Sequence, residues 1–313
     1  MSSAIVYTEF GGPEVLTLVE VPTPEPAAGE VVVRIEAAGV NPIDWKVRKG
    51  LRATEPLTEA RRSGADAAGI VSAVGDQVDG FRVGDAVVVF GASGTYATEI
   101  SVRAENVQPR PPQVGAAEGA ALGVPVGTAY QTLRSLAVGP SDTLLLHGGS
   151  GSVGQAVIQL ATLWGARVIA TSSERRADRV RALGATPVVY GDGLADRVRA
   201  VAPQGVTAAI DAAGTDEAIQ TSLSLVADRD RIATLVRGRD AASFGIRAFS
   251  GGGPRPLSER EQGWRREAVP VTLALMAAGR FSVELGATFA LADAGAAQQT
   301  VEDGTDGKVT LVP

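Results

Sequence analysis

The chain has 313 residues, 45% of them apolar and 20% charged, a length and balance that suit a globular protein of two domains with ample core material. Its 29 Lys and Arg against 35 Asp and Glu give a formal net charge of −6, which argues against nucleic acid and membrane as partners because both select a basic face. With no cysteine and His147 as the single histidine, it has neither disulfides nor thiolate chemistry, and it lacks the imidazole or thiolate set that a catalytic zinc normally takes.

In chain order, the first hundred residues carry short β-rich segments at 5–7, 15–19, 31–38, 69–74 and 86–90, separated by Gly, Pro and Asp turns. This is an all-β pattern of the kind that closes into a partly open barrel. From about Gly119 the pattern becomes α/β, with strands expected at 144–147, 167–171, 208–210 and 231–235 and a helix at 174–183 stopped by Gly184. Residues 251–261 read as a loop or surface insertion, followed by a helix at 269–277 and a β-like pair at 287–291 and 308–312 that returns to the first domain. The fold class that follows is α/β: a Rossmann doubly wound parallel sheet domain at 121–264, and a β-barrel domain at 1–120 and 265–313. No apolar run is long enough to span a bilayer and the start lacks the features of a signal peptide, so a cytoplasmic location is the expectation.

The most informative stretch is Leu-Leu-Leu-His-Gly-Gly-Ser-Gly-Ser-Val-Gly at 144–154. Gly149, Gly151 and Gly154 have the G-x-G-x-x-G spacing of a strand-to-helix turn that lets main-chain amides approach a pyrophosphate. Val153, Ala156, Val157, Leu160 and Ala161 then recur at the positions of a buried helix face, so the flanks are right on both sides. Ser150, Ser152 and Val153 complete the expected cofactor loop. At the tip of the next strand, where an acidic side chain would bind the ribose of NAD, stand Thr171, Ser172 and Ser173. Arg175 and Arg176 follow at the start of a helix, where the macrodipole disfavours positive charge. A bound 2′-phosphate resolves that conflict, which points to NADPH; two solvated arginines are the plainer alternative, and Glu174 beside them is a mild objection.

These residues carry a resemblance that covers nearly the whole chain. Ile-Val-Tyr-Thr-Glu-Phe-Gly-Gly-Pro-Glu-Val-Leu at 5–16, Ala-Ala-Gly-Val-Asn-Pro-Ile-Asp at 37–44, Gly-Ala-Asp-Ala-Ala-Gly at 64–69, Gly-Val-Pro-Val-Gly-Thr-Ala-Tyr at 123–130, the glycine turn and Gly307-Lys308 are similar, in order and spacing, to the zinc-free quinone oxidoreductase (zeta-crystallin-like) branch of the medium-chain dehydrogenase/reductase superfamily. The resemblance implies a GroES-like barrel joined to a Rossmann domain, with NADPH in the cleft between them, and a homodimer. It also implies Gly151 to Gly154 at the pyrophosphate, Arg176 at the 2′-phosphate, Tyr190 in the adenosine region, Asn41 and Thr128 beside the nicotinamide, and Lys308 near the cofactor. Zinc members carry a Cys and a Gly-His-Glu motif where this chain has Val40-Asn41 and Gly64-Ala65-Asp66. Residues 54–63, with Arg61 and Arg62, and Val236-Arg237-Gly238 depart from the pattern at edges expected to touch substrate.

Hydride transfer to a conjugated carbonyl places negative charge on its oxygen, and stabilising that charge is what the protein contributes. A quinone needs little help, because its reduced anion is aromatic; an enone needs an electrophile. Lys46, in Asp-Trp-Lys at 44–46, is the candidate, with an exposed cation or a structural pair with Asp44 as the alternatives. Tyr130 is a second donor or a packing residue. The expected function is therefore NADPH-dependent reduction of a small-molecule quinone or related acceptor without metal. An enone or alkenal double-bond reductase and a non-catalytic NADPH-binding protein are the alternatives.

Overall fold

A computed structural model describes residues 1–51, 55–249 and 255–313. The chain divides into two compact units, Met1–Val124 with Val269–Pro313, and Pro125–Ala268. Thr54 and the Gly-Gly-Gly-Pro run at 251–254 lie outside the described residues.

In the first unit β1 (Ser2–Tyr7) and β2 (Thr17–Val21) are followed by the long β3 (Glu30–Gly39) and the short helix α1 (Pro42–Arg48). Then come β4 (Arg61–Arg62), β5 (Asp66–Val74), β6 (Ala86–Val89), β7 (Glu99–Arg103), β8 (Val107–Pro109) and helix α2 (Ala116–Ala120). Helix α3 (Gly123–Ser135) leads into the second unit.

The second unit repeats strand and helix: β9 (Thr143–His147), α4 (Ser152–Leu163), β10 (Arg167–Ser172), α5 (Ala177–Ala182), β11 (Thr186–Val189), α6 (Leu194–Val201), β12 (Ala208–Asp211), α7 (Asp216–Leu225), β13 (Ile232–Thr234), α8 (Ala241–Phe244) and β14 (Arg247–Ala248). Helix α9 (Glu259–Ala277) crosses the unit boundary, and β15 (Leu285–Ala290), α10 (Ala294–Asp303) and β16 (Lys308–Val312) complete the first unit.

The six strands described in the second unit are all parallel, in the order β11-β10-β9-β12-β13-β14. Counted from β9, that is the 3-2-1-4-5-6 order of a dinucleotide-binding doubly wound sheet. Every residue of the central β9 is buried, as expected for a strand covered on both faces. In the first unit a sheet of order β15-β16-β3-β5-β6-β8, with β7 also on β3, is antiparallel except for the β15–β16 pair. A three-stranded sheet, β2-β1-β4, accompanies it. Val31, Val33, Ile35, Val71, Val87, Val89 and Ile100 alternate inward from these strands into one apolar core. The fold class read from the sequence, a Rossmann domain plus a GroES-like domain, is the one observed.

Several local readings differ. The 15–19 segment begins with a 3-10 turn at Pro13–Val15, and the helix read at 174–183 is a 3-10 turn, Glu174–Arg176, leading into α5. Of the 251–261 loop, residues from Glu259 already belong to α9. Its start is fixed by a capping box that the loop reading overlooked. Ser258 N–H and Oγ–H donate to Glu261 Oε2 at 2.7 and 2.9 Å, and Glu261 N–H donates back to Ser258 Oγ at 3.3 Å.

Candidate active site

The glycine turn joins β9 to α4. Gly148 takes φ +80, a left-handed conformation that glycine adopts without steric cost. The loop is fastened to β10: Gly148 N–H donates to Thr171 Oγ1 at 3.1 Å and Gly149 N–H to Thr171 O at 2.8 Å. Gly154 is a packing position, since a Cβ there would lie 2.2 Å from Gly148 O and 2.8 Å from Gly149 Cα. Gly151 is the opposite case, with nothing closer to such a Cβ than Gly148 O at 3.8 Å. The first intrahelical bond of α4 runs from Gln155 N to Gly151 O (2.8 Å), so the amides of Ser152, Val153 and Gly154 precede it and point out of the helix end. Open space at Gly151 together with a helix start whose first amides are unpaired fits a pyrophosphate. Ser150 is oriented by Gln155, whose Nε2 donates to Ser150 O at 2.8 Å while Arg179 Nε and Nη2 donate to its Oε1 at 3.0 and 2.8 Å.

At the tip of β10, Ser172 is buried and donates from Oγ to Ser173 O at 3.0 Å. Arg175 is exposed and Arg176 half-buried on the 3-10 turn that follows. Tyr190 stands at the neighbouring strand end, 56% exposed, with its N–H donating to Ser172 O at 3.4 Å. The turn, Ser172, Ser173, the two arginines and Tyr190 thus belong to the C-terminal ends of three adjacent strands. Thr171, read from the sequence only as a small neutral tip, is the residue that clamps the turn.

Thr128 is buried in α3. Tyr130, two residues on, donates its hydroxyl to Glu267 Oε1 at 2.7 Å and meets Trp164 edge-on, with ring centroids 5.2 Å apart. Burial and that carboxylate push its hydroxyl up to about 12. These contacts favour the packing role over the donor role. His147 is buried and pairs through Nε2 with Ser222 Oγ at 3.1 Å, and burial pushes its ring down to about 4, the behaviour of a packed neutral imidazole.

In the first unit the strand order sets three polar residues side by side. Asn41 follows the end of β3, Asp66 opens β5 and Lys308 opens β16, and β16, β3 and β5 are consecutive in the sheet. All three are buried. Lys308 Nζ donates to Asn41 Oδ1, and Asn41 Nδ2 donates to Asp66 Oδ2 at 2.9 Å. Asp66 Oδ2 also accepts from Val124 N–H at 2.8 Å. Below them Asp44 Oδ2 accepts from Asn41 N–H at 2.8 Å and from Tyr96 O–H at 2.7 Å. Desolvation pushes both carboxyls up, Asp44 to about 6, and pushes the Lys308 ammonium down, against the mutual attraction of the opposite charges.

Lys46 lies on α1, a helix absent from the sequence reading although Asn41, Pro42 and Asp44 spell its start. Its Nζ sits 5.3 Å from the centroid of the Trp45 ring, while the Asp44 oxygen facing Asn41 and Tyr96 serves the buried cluster. The structure therefore brings Asn41 and Lys308 together, with Lys46 one turn along the same helix, and carries Thr128 and the glycine turn on the second unit. Asp44, Asp66 and Tyr96 were not singled out by the sequence as site residues.

A family model described as "Alcohol dehydrogenase GroES-like domain" matches residues 27–120, and one described as "Zinc-binding dehydrogenase" matches 152–249. A mycobacterial quinone oxidoreductase of known structure is 31% identical, with a TM-score of 0.79 over 100% of both chains. The chain belongs to the quinone oxidoreductase branch of the medium-chain dehydrogenase/reductase superfamily. The Escherichia coli quinone oxidoreductase, solved in complex with NADPH, superposes with a TM-score of 0.84 at 27% identity, covering 99% of this chain and 100% of that one. A chloroplastic quinone-oxidoreductase homolog of Spinacia oleracea is 42% identical over 197 residues, 59% of this chain and 60% of that protein. Alignments to the curated relatives span 54 to 60% of their length. Although one matching family model is described by zinc, no group of three or more His, Cys, Asp or Glu among the described residues is arranged to hold a metal ion. No helix among them is long and apolar enough to cross a membrane.

Proposed function

We propose that this quinone oxidoreductase relative is an NADPH-dependent enzyme that reduces quinones or related conjugated carbonyl compounds without zinc. The observation that carries the reading is the glycine turn, with open space at Gly151, main-chain amides of the first turn of α4 left outside the intrahelical bonds, and no acidic side chain at the tip of β10. When bound, NADPH supplies the hydride. The amides of residues 151–154, with Gly149 and Ser150 shaping the loop, hold the pyrophosphate; Ser172, Ser173, Arg175 and Arg176 receive the 2′-phosphate, and Tyr190 lies against the adenosine. Asn41 and Thr128 orient the reacting end and Lys46 stabilises charge on the acceptor oxygen. The name of the Escherichia coli relative's complex supports NADPH as the cofactor.

A second reading, in which an enone double bond is the better acceptor, rests on the cation Lys46 in Asp-Trp-Lys at 44–46 as the group that would polarise the acceptor oxygen. Two copies are expected to pair through their dinucleotide units, as the family resemblance implies, and a cytoplasmic location remains the expectation.

Titration with NADPH and NADH tests the cofactor assignment. Each charge-assisted phosphate contact is worth about 1.5–3 kcal/mol, so NADPH is expected to bind at least about tenfold more tightly. Arg176→Ala is expected to remove most of that preference, and turnover of a simple quinone is expected to survive a chelator. Equal affinities for the two cofactors, or a preference untouched by Arg176→Ala, would overturn the 2′-phosphate assignment.

A further inference from the structure

The Asn41 side chain does something unusual for its position. Asn41 is the N-cap of α1, where an asparagine normally accepts an N–H of the first turn through its side-chain oxygen; here that side chain makes no capping bond. The main chain at the helix start is served instead by Asp44, which accepts the Asn41 N–H. The carboxamide is turned into the buried cluster, with its oxygen receiving Lys308 Nζ and its nitrogen donating to Asp66 Oδ2. A second, longer bond runs from Asn41 Nδ2 to Gly39 O at 3.4 Å.

The two partners have one-sided chemistry. An ammonium only donates, and a carboxylate only accepts. A carboxamide between them has one satisfied orientation; flipped by 180°, its NH2 would face the ammonium and its oxygen the carboxylate. In a buried setting both contacts would be repulsive and both partners would lose a hydrogen bond. The two anchors are themselves held, Asp66 by Val124 N–H and both by neighbouring strands of one sheet.

We propose that Lys308 and Asp66 are positioning residues that lock the Asn41 carboxamide in a single orientation, so that Lys308 acts through Asn41. The consequence for catalysis rests on the reading of Asn41 as a residue beside the nicotinamide. A group that orients a reacting end must itself be fixed, and a lock formed before the cofactor arrives avoids ordering it during the reaction.

The lock is measurable without cofactor. Asn41 and Asn106 are the two asparagines of the chain, so selective 15N-asparagine labelling gives two side-chain NH2 groups, assigned by the loss of one in Asn41→Ala. In the wild-type chain the Asn41 NH2 is expected as one resolved pair, slow to exchange with solvent. Lys308→Met is expected to broaden or split it and to speed its exchange by about tenfold or more, the factor that goes with losing one buried hydrogen bond of about 1.4 kcal/mol. Asp66→Asn asks the same of the other anchor with no change in volume, since an amide at 66 can meet either orientation of Asn41, and it serves if Lys308→Met does not fold. Lys308→Arg keeps a donor-only partner and is expected to restore the wild-type signal. Unchanged Asn41 signals in the folded variants would overturn the lock.

Kinetics separate the lock from the reading on which its catalytic meaning rests. If Asn41 orients the reacting end, Lys308→Met lowers kcat with little change in NADPH affinity and adds nothing to the loss in Asn41→Ala. Multiplying losses would overturn action through Asn41. A loosened NMR signal alongside full activity in Asn41→Ala would leave the lock standing and remove Asn41 from the reaction.

Discussion

The glycine turn of the second unit and the polar cluster of the first handle charge by opposite means. The turn contains no charged side chain and works with main-chain amides at a helix start, so what it tolerates is decided by where a Cβ fits. The cluster works chiefly with side chains: an ammonium, two carboxyls and a carboxamide are buried together, Asn41 bonding both Lys308 and Asp66, while the main-chain N–H groups of Asn41 and Val124 add to Asp44 and Asp66. Shape limits the turn, whereas pairing limits the cluster. A substitution that adds one carbon is therefore expected to break the first, and one that exchanges an oxygen for a nitrogen to alter the second.

The largest expected effect is at Gly154. An alanine methyl would stand 2.2 Å from a main-chain oxygen, Gly148 O, and relief requires the turn to open by about 1 Å, a misplacement on the scale that costs about 10²-fold in a binding or reacting geometry. Gly154→Ala is expected to lose NADPH affinity by at least that factor and to lower stability by about 1–3 kcal/mol, the usual cost of overpacking. Titration and thermal melts check both. Wild-type affinity would show that the turn does not work by close packing.

The two regions also differ in how visible they are in the sequence. The turn is contiguous: strand, glycines and helix face lie within residues 144–161, so a local pattern suffices, and the parallel sheet built on it follows with its 3-2-1-4-5-6 order. The cluster joins Lys308 to Asn41 across 267 positions and Asn41 to Asp66 across 25. No periodicity spans such distances; the pairing depends on β16, β3 and β5 being neighbours. The family resemblance singled out Asn41 and Lys308 separately, without their contact. Helix α1 was a different kind of omission, because Asn41, Pro42 and Asp44 are local start signals outweighed by the β-rich pattern around them. Ser258 and Glu261 at the start of α9 are local start signals too, passed over because the glycine and proline run before them reads as a loop.

The next effect sharpens the comparison at the edge of the cluster. Lys46 shares α1 with Asp44, yet its ammonium lies against the Trp45 ring. If it stabilises the acceptor oxygen, Lys46→Ala is expected to slow enone reduction by roughly 10²-fold, the scale of one oxyanion donor, and to slow quinone reduction less. Steady-state kinetics on one quinone and one enone decide this. Equal losses would assign Lys46 to structure or cofactor, and no loss on either would make it a bystander.

The smallest expected effect is a dependence on pH that the turn cannot have, lacking titratable groups. The Asp44 carboxyl is pushed up from 3.8 to about 6, chiefly by burial, while the Asn41 N–H, the Tyr96 hydroxyl and Lys308 pull it down and Asp66 adds to the rise. A folded value above the unfolded one means that the folded chain holds the proton more tightly, so this stabilising contribution is complete at low pH and is lost as pH climbs from about 4 to about 6. Asp44→Asn removes the titration while retaining an oxygen for both hydrogen bonds, since the Asn41 N–H and the Tyr96 hydroxyl meet the same Asp44 oxygen. The variant is therefore expected to gain stability relative to the wild type across that interval and to hold a constant difference above it. Carboxylates that do not interact with Asp44 titrate alike in both chains and cancel in the comparison, whereas Asp66, which does, loses a repulsive neighbour in the variant. Urea unfolding of the two chains between pH 4 and pH 7 reads the difference directly. A difference that is flat, or that runs the other way, would mean that Asp44 stays ionised within the fold and that its hydrogen bonds and Lys308 outweigh its burial.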